Sequence, residues 1–327
     1  MLVTTGTDEL LRRVREGEVL GCARLMTWAE RGDPRFASLH GDFAGDLGGA
    51  RRLGITGPPG AGKSTLVEGL AQSWRRREPS RTLGILAVDP SSPFTGGALL
   101  GDRVRMADLA LDPGVFIRSM ATRGAFGGLA QRTDDLLDVL DLSGRHTLLV
   151  ETVGVGQSEV DVARSADLTV VVLHPGGGDT IQAMKAGLME IADLYVLNKA
   201  DMPGADRLAL QLEDALSMRD LPADQRPAIL HTAAIEGRGL DELADALDAL
   251  WERAESSGRL AERRRSNMRR RVIQLVEGRL AADLWQHSGL SDSLDERLAR
   301  AGTLSAHALA ADLLATWQDS SRPDPRP

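Results

Sequence analysis

The sequence predicts an α/β fold: a mostly parallel β-sheet flanked by helices, with N-terminal helices before it and a C-terminal helical arm after it. Three observations carry that expectation. Short apolar runs alternate with helical patterns between residues 52 and 234, and such alternation favours parallel strands joined by crossover helices. The first of these runs leads directly into Gly57-Pro58-Pro59-Gly60-Ala61-Gly62-Lys63-Ser64, a complete G-x-x-x-x-G-K-[ST] pattern. From Leu240 onward the periodicity is almost wholly helical.

The whole-chain properties bound what this fold can do. At 327 residues there is room for one large α/β domain and a smaller appendage. The expected organisation is a helical segment at 1–50, a P-loop domain at 51–256, a C-terminal helical arm at 257–319 whose apolar faces suit a dimer or partner surface, and a disordered, proline-containing tail at 320–327. A net charge of −8 argues against a broad nucleic-acid or anionic-membrane surface. Cys22 is the single cysteine, which excludes an internal disulfide and a multi-cysteine zinc site and fits a reducing cytoplasm. No run of about 18 apolar residues occurs, so neither a membrane span nor a signal peptide is expected. Only Lys63, Lys185 and Lys199 are lysines among 39 basic residues, which singles out the neighbourhoods of the last two for scrutiny.

Taken in order, residues 7–31 carry a stripe of Leu10, Leu11, Val14, Val19, Leu20, Ala23, Leu25 and Met26 at helical spacing. Gly17 and Gly21 interrupt it, so a helical pair fits as well as one helix. Gly32-Asp33-Pro34 should end that segment, and the Gly- and Asp-rich residues 33–50 read as a linker. Strands are expected at residues 53–56, 83–88, 115–117, 147–151, 169–173, 194–197 and 228–231. Helices are expected near 65–74, 129–140, 180–191, 240–254, 267–286, 294–301 and 305–317. Ligands of such sheets lie beyond the carboxyl ends of the strands, so chemistry should follow each strand.

It does. A strand, a glycine-rich turn and a helix opening at Thr65 aim backbone N–H groups at one point, where phosphate oxygens can be held. Lys63 would then reach the β and γ phosphates and Ser64 would ligate Mg²⁺, which makes the expected fold that of a P-loop NTPase. The segment Asp89-Pro90-Ser91-Ser92 through Asp102-Arg103 and Arg105 joins two acids and two arginines in a loop that prolines and glycines keep irregular. A second glycine-rich loop spans 119–128 and either closes over the phosphates or simply connects. Glu151 ends an apolar strand and is placed to hold Mg²⁺, with Gly154 beyond it to sense the γ-phosphate. Gln182 and Lys185 share a helix face after a further glycine loop, a spacing that also suits a solvated surface. Asn198-Lys199-Ala200-Asp201 matches the N-K-x-D guanine tetrad, in which a buried Asp201 carboxylate accepts from guanine N1–H and the 2-amino group. Thr232, Ala233 and Ala234 occupy the place where main-chain amides close over the base. Arg263, Arg264, Arg265, Arg269, Arg270 and Arg271 read as a solvated helix face balanced by Glu252, Glu255 and Glu262 rather than an RNA site, since no aromatic groups are interleaved.

Together GITGPPGAGKSTL, VDPSSPFTGGALLGDRVRM, MATRGAFGGLA, VETVGVGQSEVDVA, QAMKAGLMEIAD and NKAD resemble the MeaB/ArgK group of GTPases over nearly the whole chain. That group, which includes the methylmalonic aciduria type A proteins, chaperones adenosylcobalamin-dependent acyl-CoA mutases. The resemblance implies Mg·GTP and Mg·GDP as ligands, with Ser64, Asp89, Asp102 and Glu151 as the metal and γ-phosphate set. It makes residues 89–105, 152–158 and 175–185 three switches, with Lys63, Asp102, Arg105 and Lys185 as candidate catalytic groups. It further implies a mutase partner, a cobalamin adenosyltransferase as cofactor source, and a homodimer built through the arm. No D-x-H-x-x-G motif is present, so the chain itself should not bind cobalamin. Rival readings are a metal-insertion GTPase, a nucleotide-binding scaffold and a small-molecule kinase. The first lacks the expected His-rich or C-x-C-C tract, the second lacks a Met-rich or amphipathic anchor, and the third conflicts with Asp201.

Overall fold

In the computed structural model, residues 6–89, 106–121, 128–152, 164–176, 188–219, 222, 226–287, 289–300 and 305–320 are described. A seven-stranded sheet organises them. Its strands are β1 (Arg51–Thr56), β2 (Leu83–Asp89), β3 (Val115–Ala121), β4 (Thr147–Thr152), β5 (Leu168–Leu173), β6 (Leu194–Leu197) and β7 (Ala228–His231). Every pairing is parallel, in the order β3-β2-β4-β1-β5-β6-β7. All expected strands are present, several of them one to four residues longer than the apolar runs alone suggest.

Burial explains why these runs become central strands. Every residue of β4 and β5 is buried, and β1 is buried from Leu53 onward, as a sheet covered on both faces requires. Alternate side chains enter different cores. Leu86, Val88, Leu148 and Val150 face one core, which α1 (Thr7–Arg15), α2 (Val19–Arg31), α3 (Pro34–Phe43) and α5 (Gly128–Leu142) complete. Leu53, Ile55, Leu83, Ile85 and Leu149 face the other, against α4 (Lys63–Arg77) and α7 (Leu240–Ser256). A third cluster packs α6 (Ala205–Ser217) on Val171, Leu173, Tyr195 and Leu197.

The stretch expected to be a linker is instead partly helical. Asp33 takes an extended conformation, accepts a hydrogen bond from Arg35 N, and places Pro34 at the first helical position of α3. Proline there gives up only an amide that has no helical partner anyway. Phe36, Leu39 and Phe43 then bury one face of the helix. Gly32, left-handed at the end of α2, serves as stop to one helix just before Asp33 starts the next.

Two compact units are distinguished. The first holds α1–α7, the whole sheet and the start of α8 (Arg259–Ala282) as far as Asn267; the second begins at Met268 and holds the rest of α8 with α9 (Leu290–Arg300) and α10 (Ala306–Ser320). Within the first unit Arg263 and Arg264 of α8 are not part of a solvated face, while Arg265 is exposed. Arg264 bonds Asp167 through both Nε and Nη2 and also donates to the carbonyls of Gly48 and Ala50. Arg263 bonds Asp193 at 2.7 Å. Asp167 and Asp193 stand immediately before β5 and β6, where each also accepts a strand backbone N–H. The partners are therefore acids at the amino end of the sheet, not the glutamates nearby in sequence.

Candidate active site

Three strands that are neighbours in the sheet, β1, β5 and β6, end side by side and supply three loops. The loop after β1 is the P-loop. Gly57 has φ +143°, and a β-carbon on it would lie 2.0 Å from Val172 O, so only glycine lets the chain leave β1 this close to β5. Gly62, at φ +83°, caps α4 and lies so near Asn198 that a β-carbon would approach its Nδ2 to 2.5 Å. These contacts explain two of the motif's glycines by close approach. Pro59 and Gly60 stay exposed at the tip, while Pro58 and Ala61 are buried beneath.

Lys63, buried at the first position of α4, donates to the carbonyls of Gly57 at 2.7 Å and Pro58 at 3.0 Å. Its ammonium is thus held inside the turn whose amides would surround a phosphate. Ser64 Oγ donates to Glu151 Oε1 at 2.5 Å, joining the start of α4 to the end of β4. Glu151 is only 4% exposed, and its strand register beside Ile55 brings it to the serine. A hydroxyl and a carboxylate converging in this way form a hard-oxygen donor pair, the chemistry that suits Mg²⁺. Thr65 is half-buried one residue on.

On the other side, Asn198 forms a knot. Its Nδ2 donates to Ala61 O at 2.8 Å, while its Oδ1 accepts from Thr232 Oγ1 at 3.0 Å and from Ala234 N at 3.1 Å. The N-K-x-D loop, the P-loop and the segment after β7 are thereby fixed to one another. Ala233 closes this segment through a bridge to Arg238. Lys199 adopts a left-handed backbone at φ 58°, unusual for a residue with a side chain, and its Cε lies 3.9 Å from a β-carbon built on Gly62. Asp201 is exposed, not buried as expected, so its carboxylate is open to a base arriving from solvent.

His174 directly follows β5 and went unremarked in the sequence. A β-carbon on Gly60 would lie 3.6 Å from its Nε2. Burial, then Lys199, then Lys63 hold its imidazole pKa below the ordinary histidine value. Position after a strand end was the one available signal.

The expected residues divide accordingly. The structure brings Gly57 to Ser64, Glu151, Asn198, Lys199, Thr232, Ala233 and Ala234 together. For Asp89 the backbone at the end of β2 is described, beside Ala121 of β3. Asp102, Arg105, Gly154 and Lys185 lie outside the described residues.

Comparison with known proteins accords with this geometry. Residues 22–288 match the family model described as methylmalonyl Co-A mutase-associated GTPase MeaB. A GTPase of Pyrococcus abyssi is 47% identical across 84% of this chain and 85% of its own length. The GTPase ArgK of Escherichia coli is 40% identical across 78% of each chain. Among solved structures, one titled LAO/AO transport system kinase superposes with a TM-score of 0.72 at 30% identity, covering 97% of this chain and 100% of that one.

Proposed function

The chain belongs to the methylmalonyl-CoA mutase-associated GTPases, and from that membership we propose that its GTP hydrolysis acts as a timed switch on an adenosylcobalamin-dependent acyl-CoA mutase. In this reading the protein gates cofactor loading and protects or reactivates the mutase, with an adenosyltransferase as the source of the cofactor. It works in the cytoplasm as a homodimer. Among the described residues no helix is long and apolar enough to cross a membrane. Met268, Val272, Val276 and Leu280 recur at helical spacing along α8 and are exposed, which supports a self-association surface on the arm.

The observation that carries the reading is the joining of three parts at the P-loop of a chain matched by the family from 22 to 288. Ser64 meets Glu151 on one side, and Asn198 ties Ala61 to Ala234 on the other. Lys63 would exchange its carbonyl partners for phosphate oxygens, and the P-loop amides would take the remaining charge. Ser64 and Glu151 would hold Mg²⁺, with Asp89 and Asp102 completing the set that the family resemblance implies, and the ion would neutralise charge on the phosphates. Asp201 and the amides after β7 would select guanine. No described side chain stands as an evident base for the attacking water. In this reading intrinsic turnover is slow, and a bound mutase completes the site by bringing Arg105 or Lys185 to the phosphates.

The test is GTP turnover measured with and without an acyl-CoA mutase, for wild type and Lys185→Ala. Stimulation in wild type that the variant loses supports the assignment. Stimulation left intact in the variant removes Lys185 from it, and no stimulation by any such mutase removes the switch itself.

A further inference from the structure

His174 stands between two loops that hold the nucleotide. Its strand, β5, lies in the sheet between β1, which leads to the P-loop, and β6, which leads to Asn198 and Lys199. Three side chains therefore lie close to the P-loop turn: His174 near Gly60, and Asn198 and Lys199 near Gly62. Asn198 is committed to Ala61, Thr232 and Ala234, and Lys199 is a fixed cation. Of the three, His174 is the group whose charge can change near neutral pH.

We propose that His174 is a further cationic contact for the nucleotide's phosphates and takes up a proton from solvent as the polyanion binds. This rests on the nucleotide-binding reading of the P-loop. Among the described residues, the charged groups that lower the imidazole pKa are Lys199, from the loop after β6, and Lys63, from the start of α4. Both are cations. Together with partial burial they disfavour imidazolium while the turn holds no anion. A di- or triphosphate entering the turn opposes the field of the two ammonium groups, because it places anionic oxygens beside the imidazole. The imidazole then gains a proton, and the P-loop gains a donor at its exposed tip.

The linkage has a definite sign. Binding raises the histidine pKa, so affinity is greatest below the free value, where the histidine is protonated both free and bound. Between the free and bound pKa values the affinity falls as pH rises, by about tenfold for each unit separating them. Below the free value and above the bound value the histidine contributes no slope.

Two measurements test it. GDP affinity is determined by calorimetry across about pH 5.5 to 8.5, in buffers of different ionisation heat, for wild type and His174→Gln. Wild type should weaken with rising pH and absorb protons near neutrality, and the variant should keep only the slope of GDP's own phosphate. Equal slopes and equal proton counts would overturn the proposal. The second is an imidazole carbon NMR titration of wild-type His174, one of six histidines, which needs no variant to fold. Its midpoint should rise when GDP is added; an unchanged or lowered midpoint would overturn the proposal. Wild type that fails to bind GDP at all would instead defeat the nucleotide-site reading beneath it.

Discussion

Asn198 shows how much of the site hangs on one side chain. It is 2% exposed and satisfies a carbonyl, a hydroxyl and an amide from two other loops. Asn198→Ala strands all three, at about 1–3 kcal/mol for each group left without a partner. The variant should melt well below wild type in a thermal scan and bind GDP more weakly; an unchanged melting temperature would mean water replaces the amide. Lys63→Ala should lower GTP turnover by at least about a hundredfold, because the positioned charge is lost where phosphate charge develops. Residues at fixed offsets in one segment, Gly57 to Ser64 and Asn198 to Asp201, were legible in the sequence. The Ser64–Glu151 and Asn198–Ala61 contacts join residues 87 and 137 positions apart, so only sheet order reveals them. The burial of Asp201 was misread because the base that would cover it comes from solution.

At the scale of elements, strands were legible because parallel strands buried on both faces leave continuous apolar runs, as in β4 and β5. The helix α3 was not, because its start signal, Asp33-Pro34, doubles as a stop signal for α2. That cap also predicts a pH effect. Bonding to Arg35 holds the Asp33 carboxyl down to about 2 from an ordinary 3.8. A depressed carboxyl contributes stability above its unfolded value that is lost as pH falls through the folded one. The contribution of α3 should therefore decline between about pH 4 and pH 2, and Asp33→Asn should remove that part of the acid dependence of unfolding. Arg264 anchors α8 to Asp167, which is 3% exposed. Arg264→Ala leaves that acid uncompensated and should cost about 2–4 kcal/mol in denaturant unfolding, discounted for the arginine's partial exposure. Its arginine run suggested solvent because sequence neighbours, not the acids ahead of β5 and β6, were in view.

Across the whole molecule, the nucleotide helix is braced from behind. Trp74 of α4 and Trp251 of α7 are almost wholly buried with ring centroids 6.1 Å apart, in the core beneath β1. Trp251→Ala should cost about 3–5 kcal/mol and, by loosening α4, weaken nucleotide binding as well. A stability loss without a binding loss would show that the P-loop is held from the sheet side alone. The sheet order places the ends of β4, β1, β5 and β6 together, and the proposed function requires that they form one guanine-selective hydrolytic site. Competitive displacement of labelled GDP by GTP and by ATP tests it most directly, in wild type and Asp201→Ala. GTP should displace at far lower concentration than ATP, and the variant should lose about ten- to a hundredfold of that preference, the worth of hydrogen bonds to a charged acceptor. Equal displacement by ATP and GTP in wild type would contradict it.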